Sequence, residues 1–295
     1  MTHVVSPCDP QPNLPASLWD RAAVEKLVGT IGGTGPMGPP ASGGAEPGSE
    51  PTATGPPASP ATPRTTPELA VRTYVATTAP VDRFGPMVGA EACRRNFAKA
   101  AARAFLGDGS AWVWGLHRRE FPDFVAIVDF LHVLVHLFTA ARAMTEDVEG
   151  RWGLYLGWAE ACWQGRVDEV IGQLGHWCEP QARLDAGGQL PGEEDPCRVV
   201  MRVRSYLQAN QERMDYPRYR RLGLPWTTSH VESTVKQFNR RVKGSEKFWS
   251  EAGAEAMLQL RAAFLSEDGR LDRHLKERPS GPFRNYKDRK TGKAA

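Results

Sequence analysis

The stretch LPWTTSHVESTVKQFNRRVKGSEKFW, residues 224–249, sets how the rest of the chain is interpreted. Its hydroxyl residues at 227–229 are suited to cap a helix N-terminus by accepting a free backbone N–H. The charged residues after them share one helical face, with an acid first and cations after it: Glu232, Lys236, Arg240 and Lys243. Such a face is suited to hold a divalent metal beside a phosphate backbone. The alternative is a solvated face with ion pairs four residues apart.

A second acidic residue follows a short apolar run upstream. The segment RAFLGDG, residues 103–109, predicts a buried strand that ends at Asp108-Gly109. An acid at the carboxyl end of a strand lies at the edge where open α/β sheets bind their ligands. The alternative is that Asp108 only forms the turn.

The segment FPDFVAIVDFLHVLVHL, residues 121–137, predicts a strand over 124–128 and a helix from Asp129. Asp129, His132 and His136 then share one face of that helix. Carboxylate and imidazole groups suit zinc or iron, so these three residues form a candidate metal cluster. The alternative is that Asp129 caps the helix and both histidines pack near the sheet edge.

The composition is that of a soluble globular protein. The chain has 295 residues, of which 41% are hydrophobic and 24% charged, with a net charge of +3 and its cations gathered toward the C-terminal third. Five cysteines without a C-x-x-C pair indicate reduced thiols in a cytosolic protein. No apolar run is long enough to span a membrane and no signal pattern opens the chain, so we expect a cytoplasmic location.

The remaining segments alternate between low-complexity and helical sequence. Ser17 is predicted to cap a short helix, and residues 29–66, with nine Gly and nine Pro, are predicted to be disordered. Residues 71–77 favour a β-strand. Residues 146–223 read as almost all helix, with tryptophans at core spacing. Three arginines near the end of that block would lie against DNA phosphates or in solvent: Arg218, Arg220 and Arg221.

Three strings resemble a family of bacterial insertion-sequence transposases of the DDE type, distantly similar to mutator-like transposases. They are FLGDGSAWVWGL with FPDFVAIVDFLHVLVHL, then YLQANQERMDYPRYRRLGLP, then TTSHVESTVKQFNRRVKGSEKFWSEAGAEAMLQLRA, in the order in which the family has them. The resemblance covers roughly residues 64–290 and, weakly, 9–28. It implies an α/β fold: an incomplete ribonuclease H-like sheet with a large all-helical insertion, helix-rich overall.

The resemblance also implies the site. Two aspartates and a glutamate hold two magnesium or manganese ions in this family, and the metals activate water or a DNA 3′-hydroxyl. Asp108 resembles the second acidic ligand and Glu232 the third, while Asp129 and His132 resemble an element beside the site, with Asp129 as the alternative second ligand. The residues expected along DNA are Lys236, Arg240, Arg241, Lys243 and Lys247.

The family's first aspartate has no clear counterpart here. It lies on the first strand of the sheet, and the chain begins in a segment that resembles the stretch after the family's first hairpin. Asp9, Asp20 and Asp82 are the available substitutes, and none comes after a convincing strand. The sequence therefore predicts a truncated transposase, inactive by itself.

The expected division of the chain follows from these segments. It comprises an N-terminal piece, a linker, the first part of the core, a helical insertion, the last part of the core and a basic tail: 1–28, 29–66, 67–145, 146–223, 224–268 and 269–295. Expected partners are DNA ends and target, and a second copy or a full-length relative. Two alternatives remain open: a noncatalytic DNA-binding remnant, and an unrelated metal-dependent hydrolase that uses Asp129, His132 and His136.

Overall fold

The computed structural model describes residues 8–31, 71–184, 194–243 and 248–277, with the backbone alone at 179–184 and 229–233. It is helix-rich with a small parallel sheet, which agrees with the predicted α/β class. The strands are β1 (Ala104–Gly107) and β2 (Val125–Val128). The helices are α1 (Arg21–Ile31), α2 (Val81–Arg94), α3 (Ala111–Glu120), α4 (Phe130–Met144), α5 (Val148–Trp163), α6 (Val167–Leu184), α7 (Pro196–Asn210), α8 (Tyr216–Arg221), α9 (Ser229–Val242), α10 (Glu251–Leu265) and α11 (Arg270–Glu277).

The chain divides into two compact units. The first comprises Met1–Pro67 and Asn96–Ser229, and the second comprises Glu68–Arg95 and His230–Ala295. The predicted boundaries within the core and at the helical insertion stay predictions. None of the helices in the described ranges is both long enough and apolar enough to cross a lipid bilayer.

Helix α4 forms the centre of the first unit. Nine of its residues are buried, and it is apolar on nearly every side, as expected of a helix enclosed by others. It packs against α1, α5 and α7. The Phe130 ring at its start lies edge-on to Tyr216 at 4.8 Å and to Trp163 at 5.0 Å between centroids. Trp158 and Trp163 are buried and Trp152 and Trp177 pack against the same core, which confirms the core interpretation of the tryptophans.

The two strands lie side by side and parallel, with Gly107 opposite Val128. Helix α3 connects them, since a parallel pair requires a crossover. Both strands and the helix that begins after Val128 confirm the sequence prediction for this region. The carboxyl ends of β1 and β2 therefore meet at one edge.

Three local predictions were wrong. Residues 29–31, which were predicted to be disordered as part of 29–66, form the C-terminal end of α1, and residues 32–66 lie outside the described residues. Ser17 lies inside a short 3-10 helix, Ala16–Leu18, and the cap of α1 is Asp20, whose Oδ1 accepts the Ala23 N–H at 2.7 Å. Residues 71–77 form no strand, because side chains take up backbone groups that a strand ladder would need. The Arg72 N–H donates to Glu267 at 2.8 Å and the Tyr74 N–H to the Ser266 hydroxyl at 3.0 Å.

The N-terminal segment is part of the core of the first unit. Leu14, Leu18, Val24 and Ile31 are buried. Arg220, which pairs with Asp9 of this segment, is 4% exposed. Its guanidinium donates to both oxygens of Asp9 and to the Trp163 carbonyl, and it lies 4.1 Å above the Trp163 ring.

This ion pair corrects two expectations. Arg220 lies neither in solvent nor on a surface open to DNA, and Asp9 is engaged as its structural partner. The hydrogen bond from Arg220 holds the pKa of Asp9 below its ordinary value of 3.8.

We expect Asp9→Asn to lower the free energy of unfolding by about 3 kcal/mol, because it leaves the buried Arg220 charge without a counterion. Chemical denaturation at pH 7 measures this. The wild-type advantage is complete above pH 3.8 and is lost as the pH falls through the lower pKa of folded Asp9.

The matched control is Glu149→Gln. It removes a second ion pair between the N-terminal segment and the helices, Arg21–Glu149, whose glutamate side chain is 78% exposed. An exposed ion pair contributes little to stability, so this variant should have the same free energy of unfolding as the wild type. Equal losses in both variants would contradict the special role of Arg220.

Candidate functional site

The parallel edge brings two acidic residues together. Asp108 follows β1 and Asp129 follows β2, and the Asp129 N–H donates to the Gly107 carbonyl at 2.8 Å. The structure therefore places Asp108 and Asp129 side by side at the carboxyl end of the sheet. Strand ends of this kind are where α/β sheets hold ligands.

Asp129 is fully buried and its carboxylate is engaged on both oxygens. Oδ1 accepts the Leu131 N–H at 3.0 Å, which caps α4. Oδ2 accepts the Thr228 N–H at 3.1 Å and the Thr228 hydroxyl, and it lies 3.5 Å from Nδ1 of His132. Burial alone would raise the pKa of Asp129, but the interactions with His132 and Thr228 outweigh it and hold the pKa below its ordinary value. These contacts favour the interpretation of Asp129 as a structural cap.

Asp108 is half-buried and more available. Its Oδ1 accepts the Ser110 N–H at 2.9 Å, a turn that leads into α3. Among the described residues, none donates a hydrogen bond to its Oδ2. Of the two acids at the sheet edge, Asp108 is thus the one whose side chain can reach a ligand.

A face of α7 fixes the backbone around Asp108. The Tyr206 hydroxyl donates to the Asp108 carbonyl at 2.9 Å, and the Asn210 amide donates to the Gly109 carbonyl at 3.3 Å. Asn210 in turn accepts the indole N–H of Trp114 at 2.7 Å. Tyr206 and Asn210 were not predicted as site residues, although their four-residue spacing in YLQAN places them on one helical face.

His136 packs under the same tyrosine. Its ring stacks on Tyr206 with centroids 3.8 Å apart. Burial, together with repulsion by His132, lowers the pKa of His136 to about 4, against an opposing effect of Asp108. In the described residues no group of three or more His, Cys, Asp or Glu side chains is arranged to hold a metal ion. The predicted cluster of Asp129, His132 and His136 is therefore not formed as a ligand set here.

The cationic residues of α9 belong to the second unit. Lys236, Arg240 and Lys243 lie along one face and are exposed, and Arg241 is exposed beside them. The opposite side contains buried Thr234, whose hydroxyl donates to the Tyr74 hydroxyl at 3.2 Å. The side chain of Glu232, and Lys247 altogether, lie outside the described residues. The pairing of Glu232 with Asp108 stays a prediction, since the two residues belong to different units.

The comparisons with known proteins returned no match: no family model, no curated protein and no solved structure corresponds to this chain.

The turn after β1 gives a first prediction. Gly109 has φ +94°, and a Cβ there would lie 2.4 Å from Cε2 of Tyr206. We expect Gly109→Ala to lower the free energy of unfolding by about 2 kcal/mol or more, from backbone strain and from displacement of Tyr206. Gly153→Ala is the matched control, because Gly153 lies in helix α5 with nothing within 4 Å of its Cβ position. It should raise the free energy of unfolding by about 0.5–1 kcal/mol. Denaturant titrations measure both changes in the free energy of unfolding. Changes of opposite sign in the two variants confirm the role of the turn, and changes of the same sign contradict it.

His136 gives a second prediction, on pH. Its pKa is about 4 in the fold and ordinarily 6.5, so the unfolded chain binds one more proton between these values. Stability should therefore be unaffected by this residue above pH 6.5 and fall by roughly 3 kcal/mol toward pH 4. His136→Phe keeps an aromatic ring on Tyr206 and should remove this part of the pH dependence. His274→Gln, on exposed α11, should keep it. An unchanged pH profile for His136→Phe would rule the linkage out.

Proposed function

We propose that this chain is a DNA-binding protein of the DDE transposase type, which binds the phosphate backbone through the exposed cationic face of α9. The observation that carries the proposal is that face: Lys236, Arg240 and Lys243 lie in line and exposed, opposite the buried side of the helix. Lysine and arginine side chains that contact phosphates provide the sequence-independent part of DNA affinity. The solvated-face alternative predicts no dependence on this row.

Two features of the first unit support the family part of the proposal. A parallel strand pair ends in two acids, Asp108 and Asp129, which are the two candidates that the resemblance offers for the second acidic ligand. Four helices, α5–α8, then lie between α4 and α9 in the chain, where the resemblance expects an all-helical insertion. A ribonuclease H-like core is thus part of the proposal.

Cleavage of DNA would need more than the described residues offer. A two-metal site is built from several acidic ligands. At the sheet edge Asp129 is engaged by Thr228 and Leu131, and Asp108 is the acid that remains. The described residues do not fit a magnesium or manganese pair, and we assign the chain DNA binding without strand cleavage.

The test is DNA binding measured by fluorescence anisotropy on a labelled duplex across a salt series. Lys236→Glu with Arg240→Glu should weaken binding by about tenfold or more and lower the slope of log Kd against log salt by roughly 2, because two phosphate contacts are lost. The matched control is Arg118→Glu with Arg202→Glu, which reverses two exposed cations on α3 and α7. Binding in the control variant should change much less, and binding should persist without divalent metal.

Three outcomes contradict this assignment. If the wild type does not bind DNA, the DNA-binding assignment is wrong. If both double variants bind equally weakly, the affinity depends on net charge and not on the α9 face. Magnesium-dependent nicking of supercoiled DNA that disappears in Glu232→Ala would show a complete catalytic site and replace the binding assignment with a catalytic one.

A further inference from the structure

Two cysteines face each other across the contact between α6 and α7. The Cys178 thiol donates to the Cys197 carbonyl at 3.7 Å, and the Cys197 thiol donates to the Cys178 carbonyl at 3.9 Å. Each side chain therefore reaches the backbone of the other residue.

This reciprocal arrangement is favourable for a disulfide. A disulfide needs two side chains that are directed toward one another. Each of the two thiols lies within hydrogen-bond distance of the carbonyl of the other residue, so both side chains are directed into the same contact between α6 and α7. We propose that Cys178 and Cys197 are a reversible oxidation site, a dithiol that closes to an intramolecular disulfide.

The two cysteines differ in accessibility, which sets the order of reaction. Cys178 is 4% exposed, and burial together with the Cys197 thiol raises its pKa to about 12. Cys197 is half-exposed at the start of α7. A peroxide in solution reaches the more accessible Cys197 first, and Cys178, which is directed into the same contact, then resolves the product.

The chemistry needs a peroxide as oxidant. The Cys197 sulfur attacks one oxygen of hydrogen peroxide, the O–O bond breaks, and water leaves a sulfenic acid behind. The Cys178 sulfur then attacks the sulfenic sulfur, the S–O bond breaks and a second water leaves. The two thiols together lose two electrons and two protons, and one peroxide is reduced to two waters.

The bond would act on the candidate site through α7. The same helix carries Tyr206 and Asn210, which hold the backbone of Asp108 and Gly109. A disulfide between Cys178 and Cys197 would link the first turn of α7 covalently to α6. It would also close residues 178–197 into a covalent loop. Such a loop restricts the unfolded chain, so we expect the Tm to rise by about 5 °C or more on oxidation.

The experiment uses the full chain with Cys8→Ser and Cys93→Ser, which removes the two exposed thiols. Stoichiometric hydrogen peroxide should lower the intact mass by about 2 Da, produce a peptide that joins residues 178 and 197, and be reversed by dithiothreitol. In Cys178→Ser, dimedone should trap a sulfenic acid at Cys197. In Cys197→Ser, Cys178 should stay unmodified. Cys162→Ser is the matched control, since burial raises the pKa of Cys162 to about 12 and it should leave the disulfide intact.

Other results overturn the proposal. If both thiols stay open to alkylation under denaturing conditions after peroxide treatment, the pair is not an oxidation site. A disulfide that lowers the Tm would show that the folded geometry does not accommodate the bond. Peptide mapping of the protein without further substitutions decides the matter even if a serine variant fails to fold.

Discussion

The buried carboxylate of Asp129 is the constraint on which the first unit depends. It closes the N-terminus of α4, the most enclosed helix, by accepting the Leu131 N–H, and it binds Thr228 of the segment that leads into α9. The next backbone group continues the connection, since the Phe130 N–H donates to the Trp226 carbonyl at 3.0 Å. A buried carboxylate without these donors would be costly, so the sheet edge, α4 and the 226–228 segment have to form together.

The second unit depends on charges more than on a core. Ala262 is the one buried apolar side chain among its described residues. Instead, Arg270 contacts Glu91 at 2.6 Å and Asp268 at 3.0 Å, and Arg94 contacts Asp268 at 2.7 Å. Burial opposes ionisation of Glu91, but the arginines prevail and lower its pKa to about 2. Such partly exposed networks weaken as salt is added, unlike the aromatic packing around α4.

Local patterns explain why part of the fold was predictable. The strand before Asp108, the strand before Asp129 and the cap of α4 all follow from neighbouring residues, and the structure confirms them. Distant partners explain why other contacts were missed. Arg220 pairs with Asp9 across 211 positions, and Tyr206 reaches Asp108 across 98, and no spacing rule reveals such contacts. Residues 71–77 have strand-forming composition, yet carboxylate and hydroxyl acceptors just beyond α10 compete for their backbone.

The contacts of the N-terminal segment determine what cleavage of the chain would do. Residues 8–31 are fixed by their own contacts: buried apolar side chains, the Asp9–Arg220 pair and the Trp163 indole, which donates to the Gln11 carbonyl at 3.0 Å. Residues 8–31 are therefore bound to the helical unit by contacts of their own, as a covalently attached ligand would be. Cleavage of the chain after residue 31 would turn this intramolecular binding into a bimolecular equilibrium, so the bound fraction would depend on the protein concentration.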